Sequence, residues 1–301
     1  VRVHVVGMGL IGCAVARSLL DLGVHVSWED ADAPHTAWKA STGAVYPSPH
    51  SRDAEAYKLW SNWRLKHMRV DFADYWYCTK NAPHGYKAAA VAEVGPLKLH
   101  PEPSLHLNVQ DFVRCTRVEL ADLRTQMSGK PEGSVEVVAH GFNYRLRRYV
   151  WGWTQWVGLD YSRLAEHTRL PKTLNWKPCV YLRDGMTTLA YAYPCPGTPY
   201  WYAGSSLIVQ QEPRERNPEK VVARWKSEWD RLTGGVIPIC ATSGPVIQGW
   251  RPSTGPVEDE EGLPFWSRAE EGGPLTVMPL WHSGVRWLPL VVRELTKELD
   301  L

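Results

Sequence analysis

Three glycines and an acid near the start of the chain have the spacing of a phosphate-holding turn. Gly7, Gly9 and Gly12 follow the short β-branched run at residues 1–6 and precede an apolar stretch, Cys13 to Leu22, with helical spacing. Between a strand and a helix, the first glycine permits a tight turn and the second lets backbone reach a pyrophosphate. The third lets helix and strand pack closely. The helix N-terminus, entered through Leu10 and Ile11, then faces phosphates with its partial positive charge. Asp30 stands eighteen residues past Gly12, at the end of the next β-branched run, where a carboxylate can accept bonds from ribose hydroxyls; Glu29 beside it could serve instead. Strand, glycines, helix, strand and acid in that order point to a dinucleotide without separating NAD from FAD.

The elements that must position these residues can be read from periodicity. Residues 1–6 and 24–28 read as strands buried on both faces, with Gly23 capping the intervening helix, a right-handed βαβ start. Residues 33–49, rich in Pro, Ser, Thr and Gly, read as loop. Helices are predicted over 53–72, 109–127, 218–232 and 288–299, and strands over 135–139 and 275–280. Strands and turns are expected over 82–103, and the aromatic stretch 145–211 alternates as strands do. The expected organisation is a discontinuous dinucleotide-binding domain at 1–72, 104–145 and 245–301. A substrate or cap domain at 73–103 and 146–244 is inserted into it.

Composition narrows the class. At 44% hydrophobic and 22% charged residues, the 301-residue chain is balanced for a globular fold and against general disorder. No apolar run approaches the roughly 20 residues of a membrane span, and no basic-then-apolar leader opens the chain. The formal charge of +2 does not by itself call for a polyanionic partner. Six cysteines without a CxxC pair argue against a zinc ribbon or disulfide scaffold and fit a reducing, cytoplasmic setting. No HExxH pattern or Ser-His-Asp arrangement stands out, so no metal is expected. Sixteen Trp and thirteen Tyr against four Phe favour aromatics with a polar edge, which suit half-wet clefts and flat ligands.

Further segments decide between the cofactors by resemblance. Residues 37–47 (AWKASTGAVYP) directly follow the acid-bearing strand, and residues 135–142 (VEVVAHGF) form a V-x-A-x-G turn. Residues 249–254 (GWRPST) precede 282–289 (HSGVRWLP), and Tyr193-Pro194 precedes the stretch 202–206 (YAGSS). Together these resemble the D-amino-acid oxidase and glycine oxidase family: its small-residue loop beside the flavin, its turn below the cofactor, its G-x-R-P-x-T element, its terminal turn into the last helix and its roofing strand pair. The resemblance covers about half of the chain by such anchor patterns. It departs from the family at Pro279-Leu280, where a Gly-His pair is usual, and at His282, where the terminal turn usually has Arg. Only residues 129–134 separate the second helix from the V-x-A-x-G strand, so the chain resembles a shortened member.

The resemblance implies an α/β fold, a Rossmann-like FAD-binding domain with an inserted antiparallel-sheet substrate domain. It implies FAD as cofactor, held by Gly7, Gly9, Leu10, Ile11, Gly12 and Asp30, by Lys39, Ser41, Thr42 and Gly43, by Ala139 and Gly141, and by Ser283, Gly284, Val285, Arg286 and Trp287. It implies oxidation of a C–N bond in an amino acid or N-substituted glycine: hydride passes from the carbon to flavin N5, the imine hydrolyses, and oxygen or a partner reoxidises the flavin. A neutral amine assists hydride departure, so orientation matters more than a strong base. Arg251 is the candidate to grip the substrate carboxylate, since a guanidinium offers two parallel bonds. His282 and Ser283 are candidate donors to flavin or substrate. Among the alternating tyrosines 191, 193, 200 and 202, Tyr193 and Tyr202 are taken as pocket-lining hydroxyls.

Basic and aromatic residues also cluster in two runs. Residues 143–156 interleave three arginines with five aromatics, and Trp60, Trp63, Arg64, Lys66, His67 and Arg69 suggest a second basic-aromatic face on the predicted helix. Such surfaces meet phosphates with charge and bases by stacking, so the amine could be carried by a nucleic-acid base, as in a DNA-modifying enzyme. A glycine turn of this kind would also serve a non-catalytic flavin-binding module or a NAD-linked dehydrogenase.

Overall fold

Val3, Val5 and Val6, with His4 between them, form the middle of a strand whose neighbours on both sides run parallel to it. In the computed structural model this strand, β1, spans Arg2–Val6 and pairs in parallel with β2 (His25–Glu29) on one side and β7 (Val135–Val138) on the other. The structure describes residues 1–31, 36–45, 51–79, 90, 92–123, 129–139, 149–167, 177–184, 187–209, 216–252, 264–268, 270–277 and 284–301. Beyond β7 the sheet continues with β14 (Leu275–Val277), parallel, and β13 (Trp266–Arg268), antiparallel, to give the order β13-β14-β7-β1-β2. Helix α1 (Leu10–Asp21) crosses from β1 to β2, and Gly23, at φ 75°, closes it as the left-handed cap.

Helices α2 (Ser51–Asn62), α3 (Val109–Asp122) and α6 (Gly284–Glu298) complete this layer. One core cluster joins Val5, Val26, Leu19, Phe112, Val291 and Leu295 from these elements. Within it Arg286 forms an ion pair of 2.5 Å with Asp53, whose side chain is fully buried, and Trp287 Nε1 donates to the other Asp53 oxygen at 2.6 Å. Asp53→Ala leaves a buried guanidinium and a buried indole N–H facing the vacated acceptor. Losing one partner of a buried pair costs about 3–5 kcal/mol. The expected result in urea unfolding is a free energy lowered by that amount, read as a lower midpoint at unchanged slope.

The second sheet is larger, with strand order β12-β8-β11-β10-β9-β4-β6-β3. Its strands are β3 (Ala44–Val45), β4 (Val70–Thr79), β6 (Leu97–Leu107), β8 (Tyr149–Leu159), β9 (Cys179–Asp184), β10 (Thr187–Pro194), β11 (Trp201–Val209) and β12 (Ile239–Pro252); β5 (Ala92–Val94) pairs with β6. All pairings are antiparallel except β4 with β9. A short helix, α4 (Ser162–His167), follows β8. One face is covered by α5 (Pro218–Thr233), which Asn217 caps at its start and Gly234, at φ 60°, at its end. Trp225 and Trp229 of α5 pack there against Trp151, Trp153, Trp201 and Val180.

Three expectations are corrected. The helix predicted over 53–72 stops at Asn62, and β4 starts at Val70. The alternating, aromatic run from Val70 onward favours a pleated surface, and His67, at φ 68°, turns the chain between the two. The basic-aromatic helix face therefore does not exist: Trp60 is buried, Arg64 donates to the Trp60 and Trp63 carbonyls, and Lys66 and His67 bond Glu119. The tryptophans, third, belong mainly to cores. Trp60, Trp151, Trp153, Trp229 and Trp287 are fully buried, and each indole N–H donates to a protein acceptor.

Candidate functional site

The face of the large sheet opposite α5 meets the loop that follows β2, and Trp38 of that loop stands beside Gly9 of the glycine turn. Register fixes which residues share that face. Tyr193 pairs with Tyr202 and Tyr191 with Gly204; Tyr202 in turn opposes Trp156, and Gly204 opposes Thr154. On β12, Ile247 opposes Thr154, Gly249 opposes Gly152 and Arg251 opposes Val150. Gly249 meets the loop that follows β2: a Cβ there would lie 2.9 Å from Ala40 Cβ and 3.0 Å from the Thr36 carbonyl oxygen. Thr36 also bridges to Trp250, and the residues after it form a single 3-10 turn, Ala37–Ala40. Position 251 has the parity of Gly249 on this strand; the Arg251 side chain lies outside the described residues.

The glycine turn is built for close approach. Gly7 takes φ 92° and donates to the Glu29 carbonyl at 2.9 Å. A Cβ on Gly12 would lie 1.9 Å from the Gly7 oxygen, so helix and strand pack at a distance only glycine allows. Gly9 caps α1 without a side-chain bond, and no acid occupies the first turn of that helix. By contrast α3 and α5 begin with Asn108 and Asn217 accepting from backbone N–H groups and carry Asp111 and Glu219 in their first turns. Trp38 Cδ1 would stand 3.4 Å from a Cβ on Gly9, and the buried Trp38 Nε1 has no partner among the described residues. An uncapped helix start, a glycine at its N-cap and an orphaned buried N–H donor are features that a dinucleotide pyrophosphate can use. The residues present fit such a group.

Asp30 sits at the mouth of this turn. Its Oδ1 accepts from Met8 N at 2.9 Å and its Oδ2 pairs with Arg117. Glu29 points elsewhere, accepting from Gly129 N at 2.7 Å, which leaves Asp30 as the acid nearer the turn. Ala139 donates to the Val6 carbonyl at 2.8 Å and so closes the end of β7 against the turn. Gly43, at φ 65°, sits so close to β6 that a Cβ would lie 2.0 Å from the Leu107 oxygen. Ser41 Oγ accepts from Gly43 N, and the Lys39 ammonium lies 5.7 Å from the Trp38 ring centroid.

Gln110 stitches loop to sheet. Its amide donates to the carbonyls of Lys39 (3.1 Å) and Ser41 (2.7 Å), while its oxygen accepts from the Tyr202 hydroxyl at 2.8 Å. Tyr202 is thus a fully buried strut between β11 and α3, and burial, with Cys195 beside it, pushes its phenol pKa up. Tyr193 is buried and stacks on Tyr191 with centroids 4.9 Å apart. Val285 is buried, and the Arg286 and Trp287 side chains are committed to Asp53, so main chain is what this pair offers a cofactor. His282, Ser283 and Gly141 lie outside the described residues. So do residues 143–148; of the rest of that basic-aromatic run, Trp151 and Trp153 are core and Trp156 is 40% exposed.

Sequence reasoning missed Arg117, Gln110, Trp38 and a buried trio on the same sheet face. In that trio His106 Nε2 lies 2.9 Å from Ser104 Oγ and 3.1 Å from Cys179 Sγ. Burial lowers the His106 pKa to about 3, so the ring is neutral in the folded chain. From pH 6.5 down to about 3 the unfolded chain binds this proton and the folded chain does not. Stability is therefore full above pH 6.5 and falls as pH drops, by up to about 1.4 kcal/mol per pH unit from this residue. Urea unfolding at pH 7, 6 and 5 checks this: His106→Asn is expected to decline less steeply than the parent chain.

Together, a mostly parallel sheet carrying a glycine turn and a larger, mostly antiparallel sheet define a Rossmann-type α/β fold with a second sheet layer. The chain superposes on iminodiacetate oxidase from Chelativorans sp. BNC1 with a TM-score of 0.67 at 14% identity, covering 99% of this chain and 95% of that one. Glycine oxidase from Bacillus cereus ATCC 14579 gives 0.64 at 12%, covering 99% and 94%. L-alpha-glycerophosphate oxidase from Mycoplasma pneumoniae, crystallised with FAD bound, gives 0.61 at 14%, covering 100% and 94%. No protein-family model matches the chain, and no curated protein matches it. Among the described residues no helix is long and apolar enough to cross a membrane.

Proposed function

We propose that this chain is an FAD-dependent oxidoreductase that oxidises a C–N bond in an amino acid or N-substituted glycine. The observation that supports the reading is an uncapped glycine turn beside a loop that also meets the large sheet, in a fold shared, nearly end to end, with iminodiacetate oxidase and glycine oxidase. FAD, when bound, supplies a hydride acceptor for the carbon bearing the amine, and hydrolysis of the resulting imine and return of electrons to oxygen complete the turnover.

The chain's own residues bind and orient. Gly7, Gly9 and Gly12 leave room for the pyrophosphate, with the α1 N-terminus and Trp38 Nε1 as donors. Asp30 accepts from the ribose, and the 39–43 loop, pinned by Gln110, lines the path of the ring system. Arg251 holds the substrate carboxylate, with its strand position on the face of Gly249 as support. Tyr193 lines the same face, and Tyr202 positions that face through Gln110 without touching substrate. The division of labour follows: residues 1–72, 104–145 and 245–301 hold the cofactor, while 73–103 and 146–244 shape the substrate side.

Anaerobic mixing of the flavin-loaded chain with free amino acids and with N-substituted glycines tests the reading. Bleaching of flavin absorbance by one of these substrate groups is the expected outcome. A loaded chain that no member of either group reduces contradicts it.

A further inference from the structure

A dinucleotide fingerprint supplies an acid for the ribose but no partner for that acid. Here the acid has one. Arg117, on α3, pairs with Asp30 Oδ2, and its Nε donates to the Met8 carbonyl at 2.8 Å. Its guanidinium carbon lies 5.3 Å from the Trp38 ring centroid. Met8 in turn donates its N–H to Asp30 Oδ1 at 2.9 Å. One side chain therefore ties together the glycine turn, the ribose acid and the loop beside the turn. Both polar groups of the Met8 peptide are held, which sets the direction in which the Gly7-Met8-Gly9 backbone presents itself.

We infer that Arg117 is a positioning residue for the adenosine diphosphate half of the dinucleotide, acting through Asp30 and Met8. This rests on the proposed nucleotide site, though not on the flavin end of the ligand. Two physical needs support it. A pyrophosphate brings negative charge to a turn that already carries the Asp30 carboxylate, and the guanidinium offsets that repulsion at the carboxylate itself. Each Asp30 oxygen also keeps a lone pair after its bond to Met8 or Arg117, so the carboxylate is oriented and still able to accept ribose hydroxyls. The ion pair is only partly exposed, 21% for Arg117 and 15% for Asp30, so its geometry is held better than that of a surface pair.

The test uses the full chain freed of bound cofactor, with calorimetric titration of FAD, ADP, NAD and FMN and a melting curve without ligand. Arg117→Gln is expected to weaken FAD and ADP by about tenfold to a hundredfold, the range for charge-assisted bonds. FMN affinity and the ligand-free melting temperature stay put, and Arg117→Lys recovers part of the loss. Asp30→Asn combined with Arg117→Gln is expected to lose less than the product of the two single losses, because the pair acts as a unit. Unchanged ADP affinity in Arg117→Gln overturns the inference, as does an equal loss of FMN and ADP with a lower melting temperature. A parent chain that binds ADP or NAD but not FAD overturns the flavin reading alone, and the Arg117→Gln effect on ADP then still decides this one. A parent chain that binds none of the four overturns both.

Discussion

Gly9→Val is expected to fold and lose its dinucleotide, whereas Gly12→Val is expected to lose stability with or without it. The two glycines belong to one motif, yet different constraints act on them. Gly9 has an ordinary backbone, φ −74° and ψ −161°, and among the described residues an added Cβ would meet Trp38 Cδ1, at 3.4 Å, an ordinary contact. No described backbone atom stands in the way of that Cβ. The space it fills is the approach of the pyrophosphate to the α1 N-terminus, and each lost charge-assisted bond costs about 1.5–3 kcal/mol. FAD affinity is therefore expected to drop at least about a hundredfold, with the ligand-free melting temperature near that of the parent. Gly12 is different, because its Cβ would stand 1.9 Å from the Gly7 oxygen. Relieving that overlap means parting α1 from β1, a strain of about 1–3 kcal/mol or more. Gly12→Val is expected to melt well below the parent whether or not FAD is present. Melting curves with and without FAD separate the two.

Arg251→Ala is expected to keep its cofactor and lose turnover of carboxylate substrates. The strand register places position 251 two residues beyond Gly249, on the parity that meets the loop after β2. Removing one member of a desolvated, hydrogen-bonded charge pair costs about 2–5 kcal/mol. That corresponds to roughly 30- to 5,000-fold in kcat/KM. Arg251→Lys keeps the charge without the fork and is expected to fall between the two. Flavin content equal to the parent, with kcat/KM lowered for carboxylate-bearing amines, is the signature. Unchanged kcat/KM would move the carboxylate anchor to another residue.

What was legible in the chain was local. The glycine turn, its flanking strands, Gly23 as helix cap and Asp30 after β2 all fall within thirty residues, where periodicity and backbone sterics act directly. The failures came from contacts between distant segments. Arg117 reaches Asp30 and Met8 across 87 and 109 residues, and Arg286 reaches Asp53 across 233. A signal was present on α3, where Gln110 and Arg117 are seven apart and so share a helix face. Only the fold shows that this face meets the nucleotide turn. The run at 143–156 divides between the two faces of β8. Period two sends Trp151 and Trp153 inward under α5, so two of its five aromatics are core, while Trp156 is 40% exposed. The helix predicted over 53–72 failed because aromatic and β-branched residues after Val70 found strand partners in β6 and β9.

Titration of the purified chain with FAD, followed by visible absorbance and flavin fluorescence, decides whether it is a flavoprotein. Uptake of one flavin per chain, with a perturbed absorbance spectrum, is the expected result. A chain that is colourless as isolated and leaves the spectrum of added FAD untouched would contradict it.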